Sequence, residues 1–334
     1  MAMQKELDVL AICNVLKDII IKVTDEELEE LNISKGIMHL VSEEQQQVIL
    51  EKFHNKEKIV EMGGSGPNMI RELAILGRKV SQTGMVGSDH YGDLYLSRVK
   101  ELGIKNNISQ SDLGSTGTSI ILISPDGERT MNTCLGMSRC YTVNDVPDED
   151  IKKSKYLIVT GYQWDTDNQI EAISHAIRVA KHNDTKIVFD IADPFCVDKH
   201  RETFMNVIEE YADIVFANHK ELHMLTGKEL DKSIKMLSPM LEMLVVKCGK
   251  EGSKIVTKDG IVHIPSNEVP VIDTTAAGDM YAGGFLFGLL NKLSLEESGK
   301  IATYCAETVI QYVGARLPND LLKNVEKLVG RKFS

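Results

Sequence analysis

Residues 155–193 read KYLIVTGYQWDTDNQIEAISHAIRVAKHNDTKIVFDIAD, and the fold follows from how the two ends relate to the middle. KYLIVTG (155–161) and KIVFDIAD (186–193) are short apolar, β-branched runs of the kind buried inside a sheet. Between them, TDNQIEAISHAIRVAKHN (166–183) sets Ile170, Ile173, Ile177 and Ala180 on one helical face, with Thr166 or Asp167 as cap. DIVFAN (213–218) and MLVVKCG (243–249) continue the alternation. Strands separated by helices imply βαβ units, so the expected class is α/β: a doubly wound, mostly parallel sheet flanked by helices. Ligands of such a sheet gather beyond the carboxyl ends of its strands. Here those ends carry Thr160–Gly161, Asp190, Asn218, Lys247–Cys248–Gly249 and Asp273.

Outward from this core, the N-terminal half is less regular. LDVLAICNVLKDIIIKV (7–23) reads as a strand, a break at Cys13–Asn14 and a second extended run. TSIILISPDGERTMN (118–132) reads as a hairpin turning at Pro125-Asp126-Gly127. These β segments show no helices interleaved, so they are expected to form a small separate sheet, a lid built from discontinuous segments, about 14–61 and 113–135, on a single domain spanning 1–334. The acidic TDEELEELN (24–32) reads as a solvated helix or turn.

The chain has 334 residues, 43% hydrophobic and 26% charged, with a net charge of −11. That balance opposes a nucleic-acid surface, which needs clustered Lys and Arg, but leaves room for a small anionic substrate in a locally basic pocket. Six scattered cysteines show no CxxC pair or zinc-like spacing and read as free thiols of a reducing cytoplasm. Neither a leader nor a membrane-length apolar run is read, so a cytoplasmic protein with no membrane partner is expected. The fourteen methionines read as core filler.

Two stretches carry chemistry. In GGSGPNMIRELAILG (63–77) the glycines let backbone approach a ligand, Pro67 suits a first helical turn, and Asn68 projects from that turn. In VIDTTAAGDMYAGGFLFGLL (271–290), Ala276, Ala277 and Gly278 carry no side chain that would block a ligand at the start of a long apolar helix. Their N–H groups and the helix dipole form an anion nest, and Asp279 beside it suits a general base for phosphoryl transfer. No GxxxxGK[ST] occurs and no GxGxxG follows the first strand, which leaves this nest as the strongest phosphate site and disfavours a dehydrogenase.

Taken together these motifs resemble the ribokinase-like (PfkB) family of carbohydrate and nucleoside kinases, over nearly the whole chain. GGSGPNMIRELAILG is similar to its N-terminal signature, DTTAAGDMYAGGF (273–285) to its C-terminal one, and FANHKE (216–221) to its NxxE element. Within the family, CNVLKD (13–18), SKGIMHLVSEE (34–44), PDGERTMNTCLG (125–136), TGYQWD (160–165) and DPFCVDKHR (193–201) look most like adenosine kinases and their bacterial relatives.

The resemblance implies an ATP- and Mg²⁺-dependent kinase acting on the primary hydroxyl of a ribose-containing substrate, adenosine first. Ribokinase, fructokinase, another sugar kinase or an inosine or guanosine kinase are the alternatives, with a non-catalytic nucleoside-binding protein behind them. It implies Asp279 as base with Ala276, Ala277 and Gly278 as anion hole. Asn14, Asp18, Gly64, Ser65 and Asn68 would bind ribose hydroxyls, and Arg129 would meet substrate or phosphate. Asn218 and Glu221 would support Mg-ATP through water, with Cys248, Gly249, Gly252 and Thr274 at the nucleotide. Carbonyl groups around Asp273 and Thr275 would form a monovalent-cation site, for K⁺. Cys13 stands where a glycine usually precedes the substrate asparagine, and Trp164 reads as packing. Monomer and homodimer both remain open.

Overall fold

Apolar strands that are covered on both sides feed two cores, and this sheet does so by strict alternation. The computed structural model describes residues 4–333, so the ends of the expected 1–334 span lie outside the described residues. The strands in chain order are β1 (Leu7–Ile12), β2 (Leu16–Lys22), β3 (Met38–Leu40), β4 (Ile59–Gly63), β5 (Val80–Gly87), β6 (Lys105–Ser111) and β7 (Thr116–Ile123). They continue with β8 (Arg129–Gly136), β9 (Ser154–Thr160), β10 (Lys186–Asp190), β11 (Ile214–Asn218), β12 (Met243–Lys247), β13 (Ser253–Thr257) and β14 (Gly260–Ile264). Nine of them form one sheet in the order β14-β13-β12-β11-β10-β9-β1-β5-β6, parallel from β12 to β6 and antiparallel at β13 and β14.

The helices are α1 (Asp25–Glu29), α2 (Glu43–Lys52), α3 (Ser65–Ile75), α4 (His90–Glu101), α5 (Asp148–Lys153) and α6 (Asp167–His182). After them come α7 (Pro194–Glu210), α8 (His219–Thr226), α9 (Leu230–Leu237), α10 (Ala277–Leu290), α11 (Leu295–Val309) and α12 (Leu321–Val329). Ile158, Val188, Phe216 and Val245 face a core shared with α3 and α10, while Leu157, Phe189, Val215 and Leu244 face the core under α6 and α7. In the second core Trp164, Phe189 and Phe204 pack edge to face, with centroids 5.1–5.5 Å apart. Within α6, Ile173, Ile177 and Ala180 are buried as the periodicity predicts. Among the described residues no helix is long and apolar enough to cross a membrane.

β1 and β9 are neighbours, yet the chain leaves β1 toward β5 and β6 and then returns on the other side through β9. The strand order therefore reverses between β1 and β9, and a crevice opens at that switch point. Asn14 follows β1 there and Tyr162 follows β9.

The remaining strands form a second sheet, β3-β8-β7-β2-β4, in which the hairpin expected over 118–132 extends over 116–136 as β7 and β8. One expectation is corrected: helices do interleave with these strands. Leu28 of α1 and Ile49 of α2, with Phe53, cover Ile19, Ile21, Ile120 and Leu122 on one face of this sheet. The start of α2 was legible, because Ser42 and Gln45 form a reciprocal capping box, an S-x-x-Q signature.

α10 is apolar all round because it is buried all round. Its approach to α11 leaves no room at Gly288, where an added Cβ would lie 2.6 Å from the Cα of Ser298. Alanine normally gains about 1 kcal/mol over glycine inside a helix, but overpacking of a tight contact costs about 1–3 kcal/mol. Gly288→Ala is therefore expected to lower the denaturant midpoint at unchanged slope. An equal or higher midpoint would show that the two helices separate freely.

Candidate active site

Each strand end at the switch point delivers a polar group into one cavity of about 440 Å³. Its lining brings together Asn14, Asp18, Gly64, Ser65, Asn68, Arg129, Asn218, Glu221, Gly249, Thr274, Thr275, Ala276, Ala277, Gly278 and Asp279. Asp273, Cys248 and Gly252 are not in the lining. Gly252 holds φ at +82° where a Cβ would lie 2.0 Å from the Ile264 carbonyl, so it serves the turn into β13.

At the centre is Asp279, in the first turn of α10. Ser65 donates from its hydroxyl to one carboxylate oxygen at 2.6 Å, and the Asn68 amide donates to the other at 2.8 Å. Both donors come from the first turn of α3, so two helix starts meet at one carboxylate. Ala276 precedes α10 in the left-handed region at φ +62°, a strained position for a residue with a Cβ. That turn leaves the N–H groups of Gly278 and Asp279 without an acceptor among the described residues, whereas the Ala277 N–H of the expected nest donates to the Thr274 carbonyl at 3.3 Å. Free N–H groups at the start of a long helix fit an anion.

Behind the nest, residues to which the sequence reading gave no electrostatic role complete the charge pattern. Lys247, at the end of β12, reaches back to Asp190 at the end of β10, with Nζ 3.1 Å from Oδ2. A side chain added at Gly278 would begin 3.1 Å from the same Nζ, so the ammonium lies against the nest. Burial alone would lower the Lys247 pKa, but Asp190 and Glu221 outweigh it and hold the lysine charged. Glu221 is pushed up to about 7 by burial, with Lys247 pulling against it. Asn218 caps α8 through a reciprocal box with Glu221, whose Oε2 accepts from the Asn218 N–H at 2.7 Å. Only strand-end position pointed to Lys247 and Asp190 in the sequence. Among the described residues no cluster of three or more His, Cys, Asp or Glu side chains could hold a metal by itself.

Toward the second sheet, Asp18 stands against Gly63, where a Cβ would lie 1.9 Å from Oδ1. Its carboxylate makes no hydrogen bond among the described residues. Burial pushes its pKa up to about 7, against Arg71 and Arg129, with Asp279 adding to the rise. Asn14 donates to the Tyr162 carbonyl at 2.7 Å and accepts from Gln169 at 3.0 Å, which locks its amide across the switch point. Arg129 projects from β8 and makes no ion pair among the described residues. Tyr162, Asp193, Asp279 and Asp273 surround it electrostatically. Cys13 does not line the cavity; its Sγ packs beneath Gly66, where a Cβ would lie 2.9 Å away. Trp164 packs in the core and also walls the cavity. Arg71 was missed altogether: its guanidinium donates to Asn68 Oδ1 at 3.0 Å and so fixes which end of that amide faces Asp279.

Comparison with known proteins agrees with this geometry. Residues 33–321 match the pfkB family of carbohydrate kinases. The crystal structure of adenosine kinase from Sinorhizobium meliloti is similar at a TM-score of 0.92 and 31% identity, covering 96% of this chain and 99% of that one. A probable sugar kinase from Rhizobium etli CFN 42 has a TM-score of 0.93 and 29% identity, covering 98% of this chain and 99% of that one. A 5-dehydro-2-deoxygluconokinase of Halalkalibacterium halodurans is 27% identical over 320 residues, 91% of this chain and 94% of that protein.

Asp18 sets a stability test. Its folded pKa is raised, to about 7 from 3.8, so the folded state holds a proton that the unfolded chain has lost. Its contribution is present below the unfolded value and is lost as pH rises through about 7. Asp18→Asn removes that loss, so thermal melts should show the variant gaining on wild type between pH 5 and pH 8. Glu221 titrates in both proteins and cancels. A gap independent of pH would contradict the raised carboxyl.

Proposed function

Since the chain belongs to the pfkB family of carbohydrate kinases, we propose that it transfers the γ-phosphoryl group of Mg-ATP to the 5′-hydroxyl of adenosine. The observation that carries the reading is the cavity's division of labour. A carboxylate held by two donors sits beside unsatisfied helix N–H groups at one end. An apolar floor of Leu16, Met38, Leu40, Ile121, Met131 and Leu135 lies at the other. A nucleobase is a flat, mostly apolar body and suits that floor, while the hydrogen-bond acceptors of Asp18 suit ribose hydroxyls. The similarity to the Sinorhizobium meliloti adenosine kinase supports the same substrate.

The residues fit the cofactor. Free N–H groups at α10 suit phosphoryl oxygens, and Asn218 with Glu221 would hold Mg²⁺ through water, as a cation that keeps most of its hydration requires. Among the described residues the Thr275 hydroxyl is buried without a partner, and Asp273 beside it accepts from the Thr275 and Gly314 N–H groups. That unsatisfied hydroxyl fits a monovalent cation, K⁺, held at Asp273 and Thr275.

When bound, Mg-ATP supplies the phosphoryl group and the charge that shields it. Asp279 accepts the proton of the attacking hydroxyl, whose oxygen forms the new bond to phosphorus as the bond to the ADP oxygen breaks. General-base help of this kind is worth about 10²–10⁴ in rate. The N–H groups of Gly278 and Asp279 donate to the charge that builds on the transferring group, with Lys247 against them. Ser65 and Asn68 orient the base, and Arg129 steers the phosphoryl group over the substrate. The second sheet closes over the cavity as a lid on this single domain, which excludes water as a competing acceptor. The expected setting is the cytoplasm.

A second reading is phosphorylation of a sugar acid, favoured by the 5-dehydro-2-deoxygluconokinase relatives and by Arg129 as a partner for a carboxylate. Against it, the floor beside Arg129 is apolar, with Met131 Sδ 3.3 Å from Nη1, and Asp193, Asp279 and Asp273 already surround that guanidinium. A coupled ATP-consumption assay over adenosine, inosine, guanosine, ribose, fructose and 5-dehydro-2-deoxygluconate decides. Adenosine is expected to lead in kcat/KM by on the order of a hundredfold, the discrimination typical of an apolar pocket. A sugar or sugar acid in the lead would overturn the nucleoside reading.

A further inference from the structure

A second cavity, of about 520 Å³, lies between β4, α4 and residues 315–319. It shares Leu16 with the first cavity, and Arg71 forms part of its wall. Four cationic side chains line it, Lys17, Arg71, Arg98 and Arg316, against one carboxylate, Glu61. In a chain of net charge −11, such a concentration of cations makes a local field that draws anions.

The state of each cation matters. Arg316 pairs with Glu61, and Arg98 pairs with Glu101 at 2.8 Å, but these arginine side chains are 55% and 51% exposed. Exposed pairs contribute only about 0–1 kcal/mol and exchange readily for a better anion. Lys17 and Arg71 make no ion pair among the described residues. Lys17 Nζ sits 3.4 Å from the centroid of the Tyr91 ring. Arg71 spends its hydrogen bonds on neutral acceptors, the Met62 and Ala315 carbonyls and Asn68 Oδ1. Guanidinium forks match the oxygens of a phosphate, and the neighbouring Val60, Tyr91 and Leu94 are large apolar side chains left exposed. The volume suits a small ligand.

We infer that this cavity binds a phosphate monoester carrying an aromatic or apolar body, and that its occupant acts on the first cavity through Arg71. The path is short. Arg71 donates to Asn68 at 3.0 Å, and Asn68 donates to Asp279 at 2.8 Å. An anion that draws on the Arg71 donors changes how firmly the Asn68 amide is held and so the aim of the carboxylate. By linkage, ligands of the first cavity change the affinity of the second equally. The coupling rests on the reading of Asp279 as the base; the binding does not.

Phenyl phosphate is the probe. It is titrated calorimetrically into the full chain with saturating Mg²⁺ and a non-hydrolysable ATP analogue, so that the α10 nest is already filled. Saturable one-site binding is expected, weakened by about tenfold or more in Lys17→Gln/Arg98→Gln, as loss of charge-assisted bonds requires. The double variant should melt like wild type and keep its basal ATP turnover. Phenyl phosphate should change wild-type turnover and leave the variant's unaltered. Equal affinity in the variant, binding abolished by the ATP analogue, or equal binding of phenol would each overturn the site. Tight binding with no change in wild-type turnover would overturn the coupling alone.

Discussion

The Asp279 carboxylate, gripped by Ser65 and Asn68, is the contact on which the rest of the site depends. It is a meeting of two helix starts that lie more than two hundred residues apart in the chain. Hydrogen bonds to a charged group are worth about 1.5–3 kcal/mol each, enough to fix a carboxylate but not to build the architecture that presents it. That architecture comes from the parallel sheet. Its cores press α3 and α10 onto one face, and the left-handed turn at Ala276 points the first N–H groups of α10 toward the crevice.

Around this contact the charges are arranged for a polyanion in an acidic protein. Asp18, Asp190, Asp193, Glu221 and Asp279 all line the first cavity, and burial raises Asp18, Asp190, Asp193 and Glu221. Lys247 and Arg129 are cations set among them, and Lys199 and Lys220 also belong to the lining. Such a site repels free phosphate groups at most positions and, on the proposed reading, would accept them where the N–H groups and Lys247 converge. Buried carboxylates near neutrality also make the cavity's own charge respond to what enters it.

The α/β class, the strand-end edge, the hairpin and the α10 nest were all legible in the sequence, because each is a local pattern. Val, Ile and Leu runs alternate with one helical stripe after another, and the nest is spelled by three side-chain-poor residues before an acid. What sequence could not show is which distant groups the fold brings together. Lys247 stood in the sequence only as a strand-end residue, yet it spans β11 to reach Asp190. Arg71 sits among the apolar positions of α3 and shows its role only once Asn68 and Ala315 are placed beside it. Cys13 stood where a glycine was expected, and the structure turns its thiol under Gly66 and away from the cavity. The helices between the N-terminal strands were legible through the Ser42–Gln45 capping box but were masked by the β-rich segments on either side.

The measurement that bears most directly on the mechanism is the turnover of Asp279→Asn, read beside its affinity for adenosine by calorimetry. Asparagine keeps the shape and can still accept from Ser65, but it cannot take a proton. Affinity is expected to stay within a few-fold while turnover falls by at least about a hundredfold, the low end of general-base catalysis. Near-normal turnover in that variant would contradict the assignment of Asp279 as the base.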